Sequence, residues 1–374
     1  MHLVFDCRAI HRAQGGIGAI SASLVREMAR QQKGHRVTAI LGADPPESLD
    51  LGEAAVIQVD AGMIDEHFEQ IGLPVMLMDL GADVYLNPTF SMPALDVGVP
   101  SVAIIHDVVF EEHPEWVEPG LRRYLQRWSR FSAGHAARVV TVSDHAKGRI
   151  QTVYGVPNAR IVRIYNGIDV RAFARPSQAP ISSVLARLRI STPFVLCLGS
   201  CEPKKGTPEL LRAFACLVGR GFSGKLVLAG GVSGPDFDLA GLIAASPVRE
   251  RITHLGYVSE SDKQALLAAC NILVYPSRYE GFGLPPLEAL ALGTPCIVND
   301  ATSLPEVVGD VGIRVDATNA EAFAQAMLRG LNDRDVREAV KTEGPKQARR
   351  FTWEAAAAQY WAACEAAVAA VAVH

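Results

Sequence analysis

No Cys-x-x-Cys pair occurs among the seven cysteines, Cys7, Cys197, Cys201, Cys216, Cys270, Cys296 and Cys364. Most of them fall in apolar runs, which excludes a dithiol redox centre or a paired thiolate metal site and predicts reduced core thiols. Positive charge is not in excess either. With 36 Lys and Arg against 40 Asp and Glu, the formal net charge is -4, which argues against a nucleic-acid partner bound through bulk charge. His113, His135 and His145 have no metal-ligand spacing with His106 or with carboxylates, so neither a metal nor a resident cofactor is expected. The first residues, Met1-His2-Leu3-Val4-Phe5-Asp6, enter a strand pattern with no basic segment ahead of a long apolar one. The apolar stretch 355–373 is mostly alanine, carries Gln359 and Glu365 and lacks basic flanks, so it reads as a packed helix rather than a membrane span. A cytoplasmic protein is the expectation. No period of 20 to 50 residues repeats.

What is present is an alternation of short apolar strands and longer helical patterns. At 374 residues, with 49% hydrophobic and 20% charged residues, two domains with substantial cores are expected. Strands are predicted at 3–6, 37–41, 55–59, 84–87, 102–106, 139–143 and 161–164. A second series is predicted at 194–199, 225–230, 252–255, 271–275, 296–299 and 313–315. Between the series, 173–193 contains three prolines, a serine-rich patch and a short amphipathic helix, and reads as a connection. The fold class is therefore α/β, two Rossmann-like doubly wound parallel-sheet domains facing across a cleft that would be the site. Their limits are 1–175 and 190–350, with a final helical segment, 351–374.

Four strand-end loops carry candidate chemistry. Tyr275 is followed by Pro276-Ser277-Arg278-Tyr279-Glu280-Gly281-Phe282-Gly283-Leu284-Pro285-Pro286-Leu287-Glu288. Its glycines let backbone amides approach a ligand, and its proline pair stands where a helix should begin. The loop is an anion cradle at a helix N-terminus, with two carboxylates for a hydroxyl-rich ligand. Gly199-Ser200-Cys201-Glu202-Pro203-Lys204-Lys205-Gly206, with Thr207 expected to cap the next helix, sets two lysines where a diphosphate would fit. A solvated turn is the alternative reading of that pair. His106-Asp107 leaves the strand at 102–105, and its imidazole is either a hydrogen-bonding group at the site or a satisfied core histidine. Gly15-Gly16-Ile17-Gly18 joins a strand to a helix but has Ser21 where a dinucleotide fingerprint needs glycine.

This combination, with Asn166-Gly167-Ile168-Asp169, resembles the retaining, nucleotide-sugar-dependent glycosyltransferases of family GT4, in order and over essentially the whole chain. Its most specific part is the Glu, seven residues, Glu element containing Gly-Phe-Gly-Leu-Pro. The resemblance implies a GT-B fold, with the donor on the second domain, the acceptor on the first, and the final helix returning to the first. It implies that Glu288 binds the ribose diol and Glu280 the donor sugar, helped by the amides of Phe282, Gly283 and Leu284. Lys205 would bind the diphosphate, Gly16 would offer its amide to the phosphates, Tyr257 and Val258 would meet the nucleobase, and His106 would touch the sugar. Ser200 departs from the arginine many relatives carry, and Lys204 would supply that charge. The Glu-Pro-Arg-Lys subgroup, rich in mannosyltransferases, looks similar, which favours GDP-mannose as co-substrate, with UDP- or dTDP-sugars as alternatives.

The acceptor is less defined. Arg123, Arg127 and Arg130 share one helical face, which suits either solvent or an anionic lipid surface beside a glycan or lipid-diphosphate-linked acceptor. Rival readings are a nicotinamide oxidoreductase, for which the glycine fingerprint is incomplete, a sugar-nucleotide epimerase or phosphorylase on the same fold, and a non-catalytic sugar-nucleotide-binding protein.

Overall fold

The computed structural model describes residues 1–11, 16–46, 49–169, 177–234 and 236–371. Gly15 of the glycine loop, residues 173–176 of the expected connection and residues 372–374 lie outside the described residues. The chain forms two compact units, which exchange at Gly167/Ile168 and again at Thr352/Trp353; the short piece Glu115–Glu118 belongs with the second unit.

The first unit is built on a seven-stranded, all-parallel sheet of β1 (His2–Asp6), β2 (Arg36–Leu41), β3 (Ala55–Gln58), β4 (Val84–Asn87), β5 (Ser101–Ile104), β6 (Arg138–Thr141) and β7 (Ile161–Arg163). Their order is β3-β2-β1-β4-β5-β6-β7. Strands covered on both faces read as unbroken apolar runs, as in Val102-Ala103-Ile104, where each residue is buried. The order reverses between β1 and β4, which makes the carboxyl ends of those two strands the switch point of this sheet. Gly18, in the helix Gly16–Arg30, lies against the Ala9 carbonyl, where a Cβ would come within 2.6 Å of the oxygen. The glycine there lets the helix approach the chain leaving β1. The helix Trp353–Val371 also belongs to this unit. Its Trp361 indole donates to the Met28 carbonyl at 3.1 Å, tying it to the Gly16–Arg30 helix.

In the second unit β8 (Phe194–Leu198), β9 (Lys225–Ala229), β10 (Ile252–His254), β11 (Ile272–Tyr275), β12 (Cys296–Asn299) and β13 (Ile313–Val315) form a six-stranded parallel sheet ordered β10-β9-β8-β11-β12-β13. Leu210, Phe214 and Leu217 of the helix Thr207–Gly219 pack with Phe323 and Met327 of the helix Ala320–Asn332 over Val195, Ile272 and Ile297. Here the order reverses between β8 and β11. The two loops singled out in the sequence, 199–206 and 276–288, leave those two strands and so share the switch point.

One local expectation is corrected. Thr207 is not the cap of its helix; Gly206 is, at φ 70°. A Cβ on Gly206 would sit 2.3 Å from the Pro276 carbonyl oxygen, so only glycine fits between the loops, and the Thr207 hydroxyl instead accepts the Glu202 amide at 3.1 Å. None of the seven cysteines is in a disulfide, and five of them are buried. Among the described residues no helix is long and apolar enough to cross a membrane.

Candidate active site

The loops leaving β8 and β11 interlock through main chain before any side chain is considered. The Arg278 amide donates to the Lys204 carbonyl at 2.8 Å, and the glycine at 206 admits the Pro276 carbonyl. This docking brings Lys205 to Glu280, Nζ to Oε1 at 2.6 Å, with only 18% and 11% of the two side chains exposed. The Tyr275 hydroxyl hydrogen-bonds the same carboxylate. Burial alone would raise the Glu280 carboxyl, but the charges of Lys205 and Lys204 together with these hydrogen bonds hold it below the ordinary value. It is therefore a carboxylate at neutral pH.

Beyond Glu280 the chain is held from below. Thr302 accepts the Glu280 amide at 3.2 Å, and the Ser303 hydroxyl lies 3.1 Å from the Glu280 carbonyl and 2.7 Å from that of Phe282. With its carbonyls turned toward Ser303, the loop reaches Gly283 at φ 113°, the cap of the helix Leu284–Ala291. The first turn of any helix has amides with no carbonyl four residues back. Pro285 and Pro286 have no N–H, so the donors at this end are concentrated on Gly283 and Leu284, where the positive end of the helix dipole also lies. Buried Phe282 sets its ring edge-on to Phe351, with centroids 5.7 Å apart.

Glu288, buried on the same helix, has a different environment. Its Oε1 receives Lys263 Nζ at 2.7 Å, and Lys263 also reaches Glu260 at 2.9 Å. Its Oε2 is buried with no hydrogen-bond partner. Burial raises the Glu288 carboxyl, and Lys263 offsets only part of that. A buried carboxylate oxygen without a donor is costly, and it is the arrangement a ligand hydroxyl would complete.

The structure thus brings Lys204, Lys205, Glu280, Phe282, Gly283 and Leu284 together at one switch point, with Glu288 on the same helix. Tyr257 and Val258 lie in the loop after β10, Tyr257 66% exposed, and they lead into the helix Glu260–Ala269 that carries Lys263. Ser200 donates its hydroxyl to Glu202 Oε1 at 2.7 Å. Lys263, Thr302 and Ser303 are absent from the sequence reading. Lys263 sits in an ordinary charged helix start, 25 residues from Glu288, and no spacing rule announces it.

Other expected residues belong to the first unit. Gly16 is the exposed first residue of its helix, with open space where a Cβ would be. His106, just past β5, is buried, and its Nε2 lies 3.0 Å from the Pro88 carbonyl. A carbonyl only accepts, so Nε2 carries the proton and Nδ1 is the acceptor of a neutral imidazole. Burial lowers the His106 pKa, against the opposing charge of Asp107. Arg123, Arg127 and Arg130 are all exposed on the helix Pro119–His135. Arg127 reaches Glu66 at 3.2 Å and Arg130 reaches Glu111 at 3.1 Å.

Comparison with known proteins follows the same division. The family model described as Glycosyltransferase Family 4 matches residues 14–172, and the one described as Glycosyl transferases group 1 matches 187–347. The chain is 33% identical over 281 residues to O-antigen chain mannosyltransferase B of Escherichia coli, covering 74% of this chain and 73% of that one. It is 26% identical to the serotype-specific mannosyltransferase WbdA of Escherichia coli over 71% of this chain but only 33% of that longer protein. Among solved structures, HepE of Anabaena in complex with UDP and glucose superposes with a TM-score of 0.76 at 20% identity, over 97% of this chain and 98% of that one. The chain belongs to glycosyltransferase family 4, in its mannosyltransferase-like subgroup, and its two parallel-sheet domains are those of the GT-B fold.

Proposed function

We propose that this glycosyltransferase moves mannose from GDP-mannose to a glycan or lipid-linked glycan, with retention of anomeric configuration and without a metal ion. The observation that carries this reading is the contrast between two carboxylates eight residues apart. Glu280 is ionised and paired with Lys205, whereas Glu288 is buried with one oxygen unsatisfied. A vicinal ribose diol would give Glu288 the donor it lacks. Sugar hydroxyls and the amides around Gly283 would surround Glu280, and the diphosphate would take Lys205 and Lys204 as its counter-charges.

In the transfer step the bond from the anomeric carbon to the phosphate oxygen breaks, and the electron pair leaves with GDP. The acceptor hydroxyl forms the new bond on the face being vacated, and its proton passes to the departing phosphate oxygen. Charge growing on that phosphate is stabilised by Lys205, Lys204 and the amides opening the helices Thr207–Gly219 and Leu284–Ala291. Glu280, already committed to Lys205 and the sugar hydroxyls, is not placed as a covalent nucleophile; retaining glycosidases that use one hold two carboxyl groups about 5 Å apart across the bond. Among the described residues no three His, Cys, Asp or Glu side chains converge as metal ligands. The similarity to an O-antigen mannosyltransferase supports mannose as the sugar and a polysaccharide as the product. The arginine face of Arg123, Arg127 and Arg130 is assigned to the anionic part of the acceptor or the membrane surface that carries it.

Thermal unfolding against GDP-mannose, GDP and UDP-glucose tests the donor. At one hundred times its dissociation constant a ligand adds about 2.7 kcal/mol, or about 5–10 °C for a domain of this size. Stabilisation by UDP-glucose alone would overturn GDP-mannose as the donor.

A further inference from the structure

At the switch point of the first sheet lies a buried polar chain that the proposed transfer does not use directly. Arg8, just past β1, holds Asp6 at 2.8 Å and Glu69 at 3.2 Å, and all three side chains are almost wholly enclosed. Glu69, carried on the π-helical turn Phe68–Gly72, also accepts the Tyr124 hydroxyl at 2.5 Å. The Tyr85 hydroxyl donates to Asp6 Oδ2 at 2.9 Å. Asn87 Nδ2 donates to the Tyr85 oxygen at 3.0 Å and to Ser91 Oγ at 3.2 Å. Asn87 Oδ1 accepts both the amide and the hydroxyl of Thr89, each at 2.6 Å.

The direction of each bond at Asn87, and of that from Tyr85 to Asp6, is determined. A backbone amide only donates, so the Asn87 oxygen faces Thr89 and its nitrogen faces Tyr85. The carboxylate of Asp6 only accepts, so the Tyr85 proton points to Asp6. The amide of Asn87 thereby uses all four of its hydrogen-bonding positions. What it holds is the turn Pro88-Thr89-Phe90-Ser91, where Phe90 has φ 69°, a left-handed conformation disfavoured for a bulky side chain and kept only when its surroundings impose it. That turn delivers two groups to one place. The Pro88 carbonyl takes the His106 Nε2 proton at 3.0 Å, and the Phe90 ring stands edge-on to the imidazole, centroids 5.5 Å apart.

We propose that Asn87 is a positioning residue for His106: through the strained turn at 88–90, anchored on the Tyr85–Asp6–Arg8 chain, it fixes the imidazole's orientation and its tautomer, so that Nδ1 faces its ligand as a hydrogen-bond acceptor. The inference rests on the proposed function only in assigning that ligand as a donor-sugar hydroxyl. An acceptor nitrogen suits a hydroxyl and disfavours a carbonyl or phosphate oxygen at the same point, and a turn that could relax would let the imidazole present either nitrogen.

The tautomer is read without any ligand by long-range 1H–15N NMR of the histidine-labelled full chain, with His106→Gln used to assign the signal. The parent is expected to show Nε2 protonated and Nδ1 bare, whereas Asn87→Ala and the milder Thr89→Ala should show averaging between tautomers. Thr89→Ala keeps the backbone amide on Asn87 and serves if Asn87→Ala does not fold. A bare-Nδ1 signal unchanged in every variant that folds overturns the proposal, and so does a parent in the other tautomer. A kinetic arm uses GDP release from GDP-mannose. Displacing a contact group costs up to about a hundredfold in rate, so Asn87→Ala is expected to lower kcat about tenfold or more with little change in KM. That loss should disappear when His106 is already alanine, because the two act as one. Additive losses would overturn the positioning role. No effect of His106→Ala on turnover would instead overturn the role of His106 in transfer, leaving the tautomer result to stand by itself.

Discussion

Replacing Lys205 with alanine separates two consequences of the same charge. Exposed ion pairs contribute about 0.2–1 kcal/mol, whereas removing one partner of a fully buried pair costs about 3–5 kcal/mol. With 18% and 11% of the side chains exposed, the pair with Glu280 falls between, at about 2 kcal/mol, equivalent to about 4–8 °C in a unit of this size. The sign of the pH dependence follows from Glu280. Its carboxyl is raised by burial and pulled below the ordinary value chiefly by Lys205, with Lys204 next. Its contribution is present above the unfolded-state pKa and is lost as pH falls through the folded one. The Lys205→Ala deficit is therefore expected at neutral pH and should shrink in acid. Turnover should fall further than stability predicts, because the leaving diphosphate loses a counter-charge; loss of a comparable oxyanion donor costs about 2.7–4 kcal/mol, or a hundredfold to a thousandfold. Combining Lys205→Met with Glu280→Gln should restore the melting temperature and leave turnover low. Calorimetry and steady-state kinetics on these variants decide the point. A Lys205→Ala enzyme that melts early yet turns over within tenfold of the parent would make the pair a structural bridge and refute its part in leaving-group departure.

Calorimetric titration should show Glu288→Gln weakening GDP and GDP-mannose alike, and Glu280→Gln weakening only the sugar nucleotide; equal weakening of GDP by both would remove Glu280 from the sugar. Because burial raises the Glu288 carboxyl and Lys263 restrains that rise, GDP affinity should fall as pH drops through that raised pKa. In Lys263→Ala the fall should begin at higher pH, and an unshifted profile would dissociate Lys263 from Glu288. Gly18→Ala should destabilise the first unit through the contact with the Ala9 carbonyl, whereas Gly16→Ala, with open space around its Cβ, should leave the melting temperature unchanged. A Gly16→Ala enzyme that melts normally and loses activity supports close approach of a ligand to that backbone; full activity would remove the role.

The central strands were legible in the sequence because parallel strands covered on both faces read as continuous apolar runs such as Ile272-Leu273-Val274, whereas β3, exposed along Ala55–Gln58, was legible by its short β-branched run alone. The loop from Glu280 to Glu288 was legible because glycine and paired prolines state where a backbone turns and a helix begins. What stayed hidden depends on contacts between distant parts of the chain. Thr207 looked like a cap because threonine commonly is one, but the Pro276 carbonyl, seventy residues on, demanded the glycine before it. The pairing of Lys205 with Glu280, and of Lys263 with Glu288, comes from neighbouring loops and helices meeting at one end of a sheet. Asp6 ends the strand predicted at 3–6 and Arg8 carried no expectation; nothing local reveals that both are buried.

The central claim is transfer with retention and no metal, and real-time 1H NMR of the reaction with GDP-α-mannose in excess chelator tests it most directly. The first product formed is expected to carry the α configuration, at a rate unchanged by the chelator. A first product of β configuration, or activity that stops in chelator and returns with magnesium or manganese, would contradict it.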